Sequence, residues 1–171
     1  MTSLTVFLPV KGDAVALRCL FADDPGRWLP ESRHLGDDRW LTVVRGAGMT
    51  RAVVARVSQT WYAGSTLWRT VSWEPLVDER EPERVARYLP TMYGELGLHA
   101  EVGGNASLVL DARYHPPGGP VGATLDTLAL HRIARGTAER FLADVAAGVA
   151  DVVVADPEHA GSHDALPPDH G

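Results

Sequence analysis

The sequence predicts an α+β fold of the helix-grip kind. A curved antiparallel sheet of about six or seven strands wraps around one long C-terminal helix, with one or two short helices near the N-terminus. Three observations carry this expectation. Between residues 38 and 115, segments rich in β-branched and aromatic residues follow one another, with Gly-containing turns between most of them. From Pro120 to about Asp151 the apolar period changes to that of a helix. No other segment is long enough to cover a face of the sheet, since about 30 residues at about 1.5 Å each give a helix about 45 Å long. A concave sheet and a single helix leave space between them, so an internal cavity is expected.

The elements run as follows. "SLTVFLP" (3–9) reads as a strand ended by Pro9, and "GDAVALRCLF" (12–21) as a short helix capped by Asp13. Val15, Leu17, Leu20 and Phe21 supply its apolar side. "ADDPGRWLPES" (22–32) breaks the pattern with two prolines and a glycine and fits a short helical turn carrying Trp28. Strands follow at 38–46, 50–61 and 66–75, with turns at "AGM" and "YAGS". Residues 76–91 are charged and broken by prolines, an exposed connection with some helical turn.

Strands at 92–102 and 106–115 flank Gly103, Gly104 and Asn105, a hairpin signal. Here the alternation is legible. Leu96, Leu98, Ala100 and Val102 share one face, as do Leu108, Leu110, Ala112 and Tyr114, and these faces should point inward. Glu95, His99, Glu101, Asp111 and Arg113 take the opposite faces. Pro116 and Pro117 stop the last strand, Gly118 and Gly119 let the chain reverse, and Pro120 suits a first helical turn. The helix carries Val121, Leu125, Leu128, Ile133, Ala134, Phe141, Leu142, Val145 and Val149 on its apolar side.

Length and composition fit one domain over residues 1–152, followed by an acidic tail at 153–171 with little to bury and an expectation of disorder. Of the net charge of −6, five negative charges fall in residues 151–171, which hold no Lys or Arg, so residues 1–150 carry only −1. That excludes the clustered basic surface that nucleic-acid binding needs. No apolar run approaches the roughly 20 residues of a membrane span, so no stable membrane insertion is expected. The N-terminus lacks a basic region and a small-residue cleavage site, which predicts a cytoplasmic chain. Cys19 is alone, so no internal disulfide forms. No phosphate-loop, dinucleotide or nucleophile-elbow pattern appears. His159, His163 and His170 lie in the tail with nothing to orient them as metal ligands. No cofactor and no metal are expected.

"RYHPPGGPVGATLDTLALHRIARGTAERFLADV" resembles the last strand, junction and terminal helix of the polyketide cyclase/dehydrase-like branch of the START-like (Bet v 1-like, SRPBCC) superfamily. "DDPGRWLPE" is similar to that family's short-helix segment, where an Asp-x-x-x-Trp pattern is frequent. The element order agrees over about residues 3–150. The resemblance implies a deep cavity that binds an apolar, polycyclic or polyketide-type molecule. It covers carriers, sequestering proteins that protect a producer from its own metabolite, and cofactor-independent cyclases, aromatases or dehydratases, so the fold alone does not choose the chemistry.

Several residues are candidates for such a site. Trp61, Tyr62, Trp68 and Trp73 cluster within 13 residues and offer flat walls for a planar ligand, or ordinary strand packing. Trp68 and Trp73 have opposite parity, so an unbulged strand points only one of them inward. Arg69 shares parity with Leu67, Val71 and Trp73. Pointing inward, it would hold a carboxylate, phenolate or enolate oxygen, the use that the resemblance to aromatase-cyclases implies. With the other face inward, Arg69 meets solvent and Trp68 the interior. Arg56 has the same ambiguity. Trp28 matches a position that in the resembling family often borders the cavity entrance, or it is a plain core Trp under the short helices. Tyr114 would donate to a ligand carbonyl, or serve as a core tyrosine at the strand end. Leu98 and Leu110 complete the candidate lining. His99 should face outward, and His131 on the helix either reaches the cavity or is a boundary residue. Gly136, mid-helix, leaves room for ligand or lets a strand pack close. Two functions remain: a carrier or sequestering protein for a hydrophobic small molecule, or a cyclase in which Arg69 stabilises an enolate and Tyr114 donates a proton. Nothing in the pattern fixes the oligomeric state.

Overall fold

The computed structural model describes residues 2–46, 48–76, 91–101, 105–115 and 127–155. β1 (Thr2–Val10) leads directly into α1 (Ala14–Ala22). The helix starts where the sequence places it, because the Asp13 carboxylate accepts from the Val15 and Ala16 N–H groups at 3.0 and 2.9 Å. Asp13→Ala is expected to cost about 1 kcal/mol. Urea denaturation checks this, and an unchanged midpoint would show that the cap contributes nothing. α1 buries Leu17, Leu20 and Phe21. A 3₁₀ turn at Pro25–Arg27 follows, capped by Asp24 on the Gly26 N–H and closed by Trp28.

The remaining elements are β2 (Arg33–Gly36), β3 (Arg39–Gly46), β4 (Met49–Val57), β5 (Trp61–Ala63), β6 (Thr66–Pro75), β7 (Thr91–Ala100), β8 (Ala106–His115) and α2 (Thr127–Ala155). All strand pairs are antiparallel, in the order β1-β8-β7-β6-β4-β3-β2, with β5 added beside β6. This is the helix-grip architecture, with eight strands among the described residues where six or seven are expected. The two additions are short. β2 has four residues, all exposed, and so no alternation to read. β5 is separated from β4 because Ser58 ends the ladder there: its hydroxyl accepts the Thr70 N–H at 2.8 Å. The expected strand 50–61 is therefore two strands. α2 runs to Ala155, past the expected end near Asp151.

The sequence-predicted connection at 77–90, the hairpin turn at 102–104, the Pro116–Pro120 junction and helix start up to 126, and the tail at 156–171 with its three histidines lie outside the described residues.

α2 lies across the inner face, closest to β3, β1 and β8 and against α1. Large side chains occupy the space under the middle strands. The Trp73 ring of β6 meets the Phe141 ring of α2 with centroids 4.9 Å apart and planes tilted by 55°. β7 and β8 are drawn together at Gly94, where a Cβ would lie 2.5 Å from the Asp111 carbonyl oxygen. At the edge, Arg45 of β3 ties to Asp144 of α2 at 2.8 Å and to Glu31. Asp144 holds the Arg45 guanidinium above its ordinary pKa. Among the described residues no helix is long and apolar enough to cross a membrane.

Candidate functional site

The strand register assembles the inner wall in rows. One row runs Trp40, Ala55, Trp73, Met92, Tyr114 across β3, β4, β6, β7 and β8, all buried. The next but one runs Arg69, Leu96, Leu110, Val6, and the one beyond it Leu67, Leu98, Leu108, Leu8. Leu98 and Leu110 thus face inward, fully buried. Between these lies the row Val71, Gly94, Ala112, Leu4, whose two central members are small. Small residues at the centre and aromatic ones at one end give the inner wall its relief.

Beneath α1 and the 3₁₀ turn the inner face opens to solvent in a recess of about 410 Å³, within the usual range of small-molecule sites. Trp40, Val57, Ala22 and Pro25 give it apolar walls, and Asp37, Asp38, Ser58, Gln59 and Thr60 form its polar lip together with Arg69. Of the lip residues, sequence reasoning singled out Arg69 alone. The others come from the β2–β3 turn and the β4–β5 link, two connections made by the strands that lack a readable pattern. Gly36 and Asp37 make the β2–β3 turn with φ of +106° and +52°.

Arg69 points inward, 5% exposed. Its guanidinium is engaged by backbone. Nε donates to Phe21 O at 3.0 Å, Nη1 to Ser58 O at 2.7 Å, and Nη2 to Ala22 O and Asp23 O at 2.8 and 2.7 Å. The first, third and fourth are carbonyls at the C-terminal end of α1, where the helix dipole favours a cation. The Phe21 and Trp28 rings each lie 5.9 Å from the guanidinium carbon. Burial pushes its pKa down while Asp23 and Asp24 act the other way. Arginine stays protonated under such pressures. With four of its five N–H groups on carbonyls, Arg69 acts first as a clamp between α1, β4 and β6. The expectation of a free enolate-binding cation does not match this geometry.

Trp68 requires a correction. It sits on the outer face of β6, stacked on Trp61 with centroids 5.9 Å apart, and does not line the interior. Parity assigned one of Trp68 and Arg69 to each face, and the inner face took Arg69 because the α1 carbonyls await it there. Trp73 is inside, 2% exposed. Trp28 is buried under α2, its ring stacked on Phe21 at 5.3 Å. Its indole N–H has no partner among the described residues. Tyr114 is buried, and its hydroxyl shares a 3.1 Å hydrogen bond with His131 Nδ1. His99 faces outward and bonds Thr66 Oγ1 at 2.9 Å. Arg56 is exposed and paired with Asp38 at 3.0 Å. Gly136 is exposed, and a Cβ there would meet nothing, so neither reading of it applies. Among the described residues no three His, Cys, Asp or Glu side chains gather as a metal site.

No family model and no curated protein matches the sequence. Solved structures do match the fold. A START superfamily protein from Mycobacterium smegmatis superposes with a TM-score of 0.54 at 12% identity, covering 88% of this chain and 98% of its own. The Zhui aromatase/cyclase from a Streptomyces species gives 0.54 at 17% identity, with 94% and 98% covered. A protein from Thermus thermophilus gives 0.56 at 14% identity, with 88% and 99% covered. At these identities the likeness is one of fold. The chain has the START-like, Bet v 1-like (SRPBCC) fold.

Proposed function

We propose that the chain binds an apolar, polycyclic or polyketide-type small molecule on the inner face of its sheet, as a cytoplasmic carrier or sequestering protein of secondary metabolism. Residues 1–152 form the ligand-binding unit, and no cofactor takes part. The observation that carries this reading is the half-open recess of about 410 Å³. A planar ligand held against Trp40 would meet the apolar walls of Ala22, Pro25 and Val57, with the polar lip of Asp38, Ser58 and Gln59 around it.

The second reading is a cyclase or aromatase, supported by the likeness in fold to an aromatase/cyclase of Streptomyces. It is weakened by the engagement of Arg69, which leaves a developing enolate one N–H rather than a bidentate fork. Tyr114 remains the stronger of the two predicted catalytic residues, since its hydroxyl is hydrogen-bonded to the His131 imidazole.

A thermal-shift assay tests the proposal. A tricyclic hydroxyanthraquinone at about 100 times its Kd should stabilise the fold by about 2.7 kcal/mol. Gln59→Trp, at the exposed lip of the recess, should abolish that shift while leaving the unliganded midpoint unchanged. No shift across a panel of polyketides, steroids and fatty acids overturns the reading. Chemical conversion of a poly-keto probe, in place of recovery unchanged, favours the cyclase.

A further inference from the structure

The recess leaves one charge unmatched. Its charged lining residues are Asp37, Asp38 and Arg69. The Asp38 carboxylate takes the Arg56 guanidinium at 3.0 Å. Arg69 is held by four carbonyls, three of them at the end of α1, where the helix dipole offsets its charge. The Asp37 carboxylate has no ion-pair partner among the described residues. Arg33 and Arg39 are near it in sequence. They alternate with His34 and Trp40, whose rings meet on the inner side, and so take the outer face.

Asp37 is nonetheless tied to the aromatic wall. Its carbonyl oxygen accepts from His34 Nε2 at 2.9 Å, and the His34 ring lies against Trp40 with centroids 4.5 Å apart. The Trp40 ring is backed in turn by Gly26, where a Cβ would lie 2.8 Å from it. Arg69 offers a second polar point deeper in the recess. It is 5% exposed, and its second Nη1 proton has no acceptor, while the first goes to Ser58 O on the lip. A buried donor left over in this way favours a ligand that brings an acceptor.

Resting on the reading of the recess as a ligand site, we propose that it selects a planar aromatic molecule with a carbonyl or hydroxyl oxygen at one end and a protonated amine on a side arm at the other. The oxygen accepts the remaining Arg69 N–H, the ring lies against Trp40, and the ammonium meets Asp37. Asp37 is then the residue that sets the charge preference. A ligand with a carboxylate on the same arm would bring like charges together at the lip, which disfavours it.

Isothermal titration of the full chain with three matched probes tests this: 2-(aminomethyl)anthraquinone, 2-(hydroxymethyl)anthraquinone and anthraquinone-2-carboxylate, at pH 7. The amine should bind about 5-fold more tightly than the alcohol, the scale of one partly exposed ion pair, and the carboxylate more weakly than either. Asp37→Asn should bring the amine's Kd to that of the alcohol. Asp111→Asn, which removes the same charge from the outer face, should keep the 5-fold ratio. Raising the salt from about 20 mM to about 500 mM should shrink it. If all three probes bind and Gln59→Trp weakens them, but the amine gains nothing or its gain survives Asp37→Asn, the charge preference is overturned and the ligand site stands. If none of the three binds, the ligand site falls and the preference with it.

Discussion

Replacing Arg69 with Ala is expected to destabilise the fold by about 3–5 kcal/mol. The physical reason lies in what the side chain satisfies. Phe21 O, Ala22 O and Asp23 O are acceptors left over at the end of α1, and Ser58 O ends the β4 ladder. Removing the guanidinium strands these acceptors beside a cavity and removes the cation from the Phe21 and Trp28 faces. At this chain length the thermal midpoint should fall by about 10 °C. Arg69→Lys should lose less, because an ammonium keeps the charge at the helix end but reaches fewer of the four carbonyls. Urea denaturation of the three proteins orders them, and a loss below about 1 kcal/mol for Arg69→Ala would refute the clamp. Because arginine stays charged far above neutral pH, the clamp should show no pH dependence between about pH 5 and pH 9.

Phe141→Ala is expected to cost about 3–5 kcal/mol as well, for a different reason. Phe141 is 1% exposed and fills the gap between α2 and the middle of the sheet against Trp73. Truncation leaves an apolar void between α2 and the sheet. Such voids stay dry and accept small aromatic molecules. Naphthalene should therefore raise the midpoint of Phe141→Ala more than that of the unaltered protein, by the mass-action stabilisation of a folded-state ligand. Equal shifts for the two proteins would show that the space at Phe141 is not continuous with a binding region.

How much of this was legible depended on whether a strand has two unlike faces. β7 and β8 do. Leu96, Leu98, Leu108, Leu110, Ala112 and Tyr114 all face inward as their alternation predicts, with charged residues opposite. β6 does not. Every residue from Thr66 to Trp73 is buried or half-buried, because the short β5 and its Trp61 cover part of the outer face. Where both faces are covered, alternation loses its meaning, and Trp68 and Arg69 could not be assigned from their own neighbours. β2 failed for the opposite reason, since with all four residues exposed there was no buried face to mark it.

The sequence by itself determined the architecture: the order of elements, the Asp13 cap, the inward faces of the hairpin, and a long amphipathic helix as the cover of the sheet. These follow from local chemistry and short periodicities, which residues carry wherever they are. The tertiary structure decided the site. Arg69 became a clamp because three carbonyls from residues 21–23 reach it across more than forty positions of chain. The recess arose where the β2–β3 turn and the β4–β5 link meet the end of α1. Hydrogen-bond satisfaction and shape are properties of pairs of distant segments, and no reading of one segment at a time contains them.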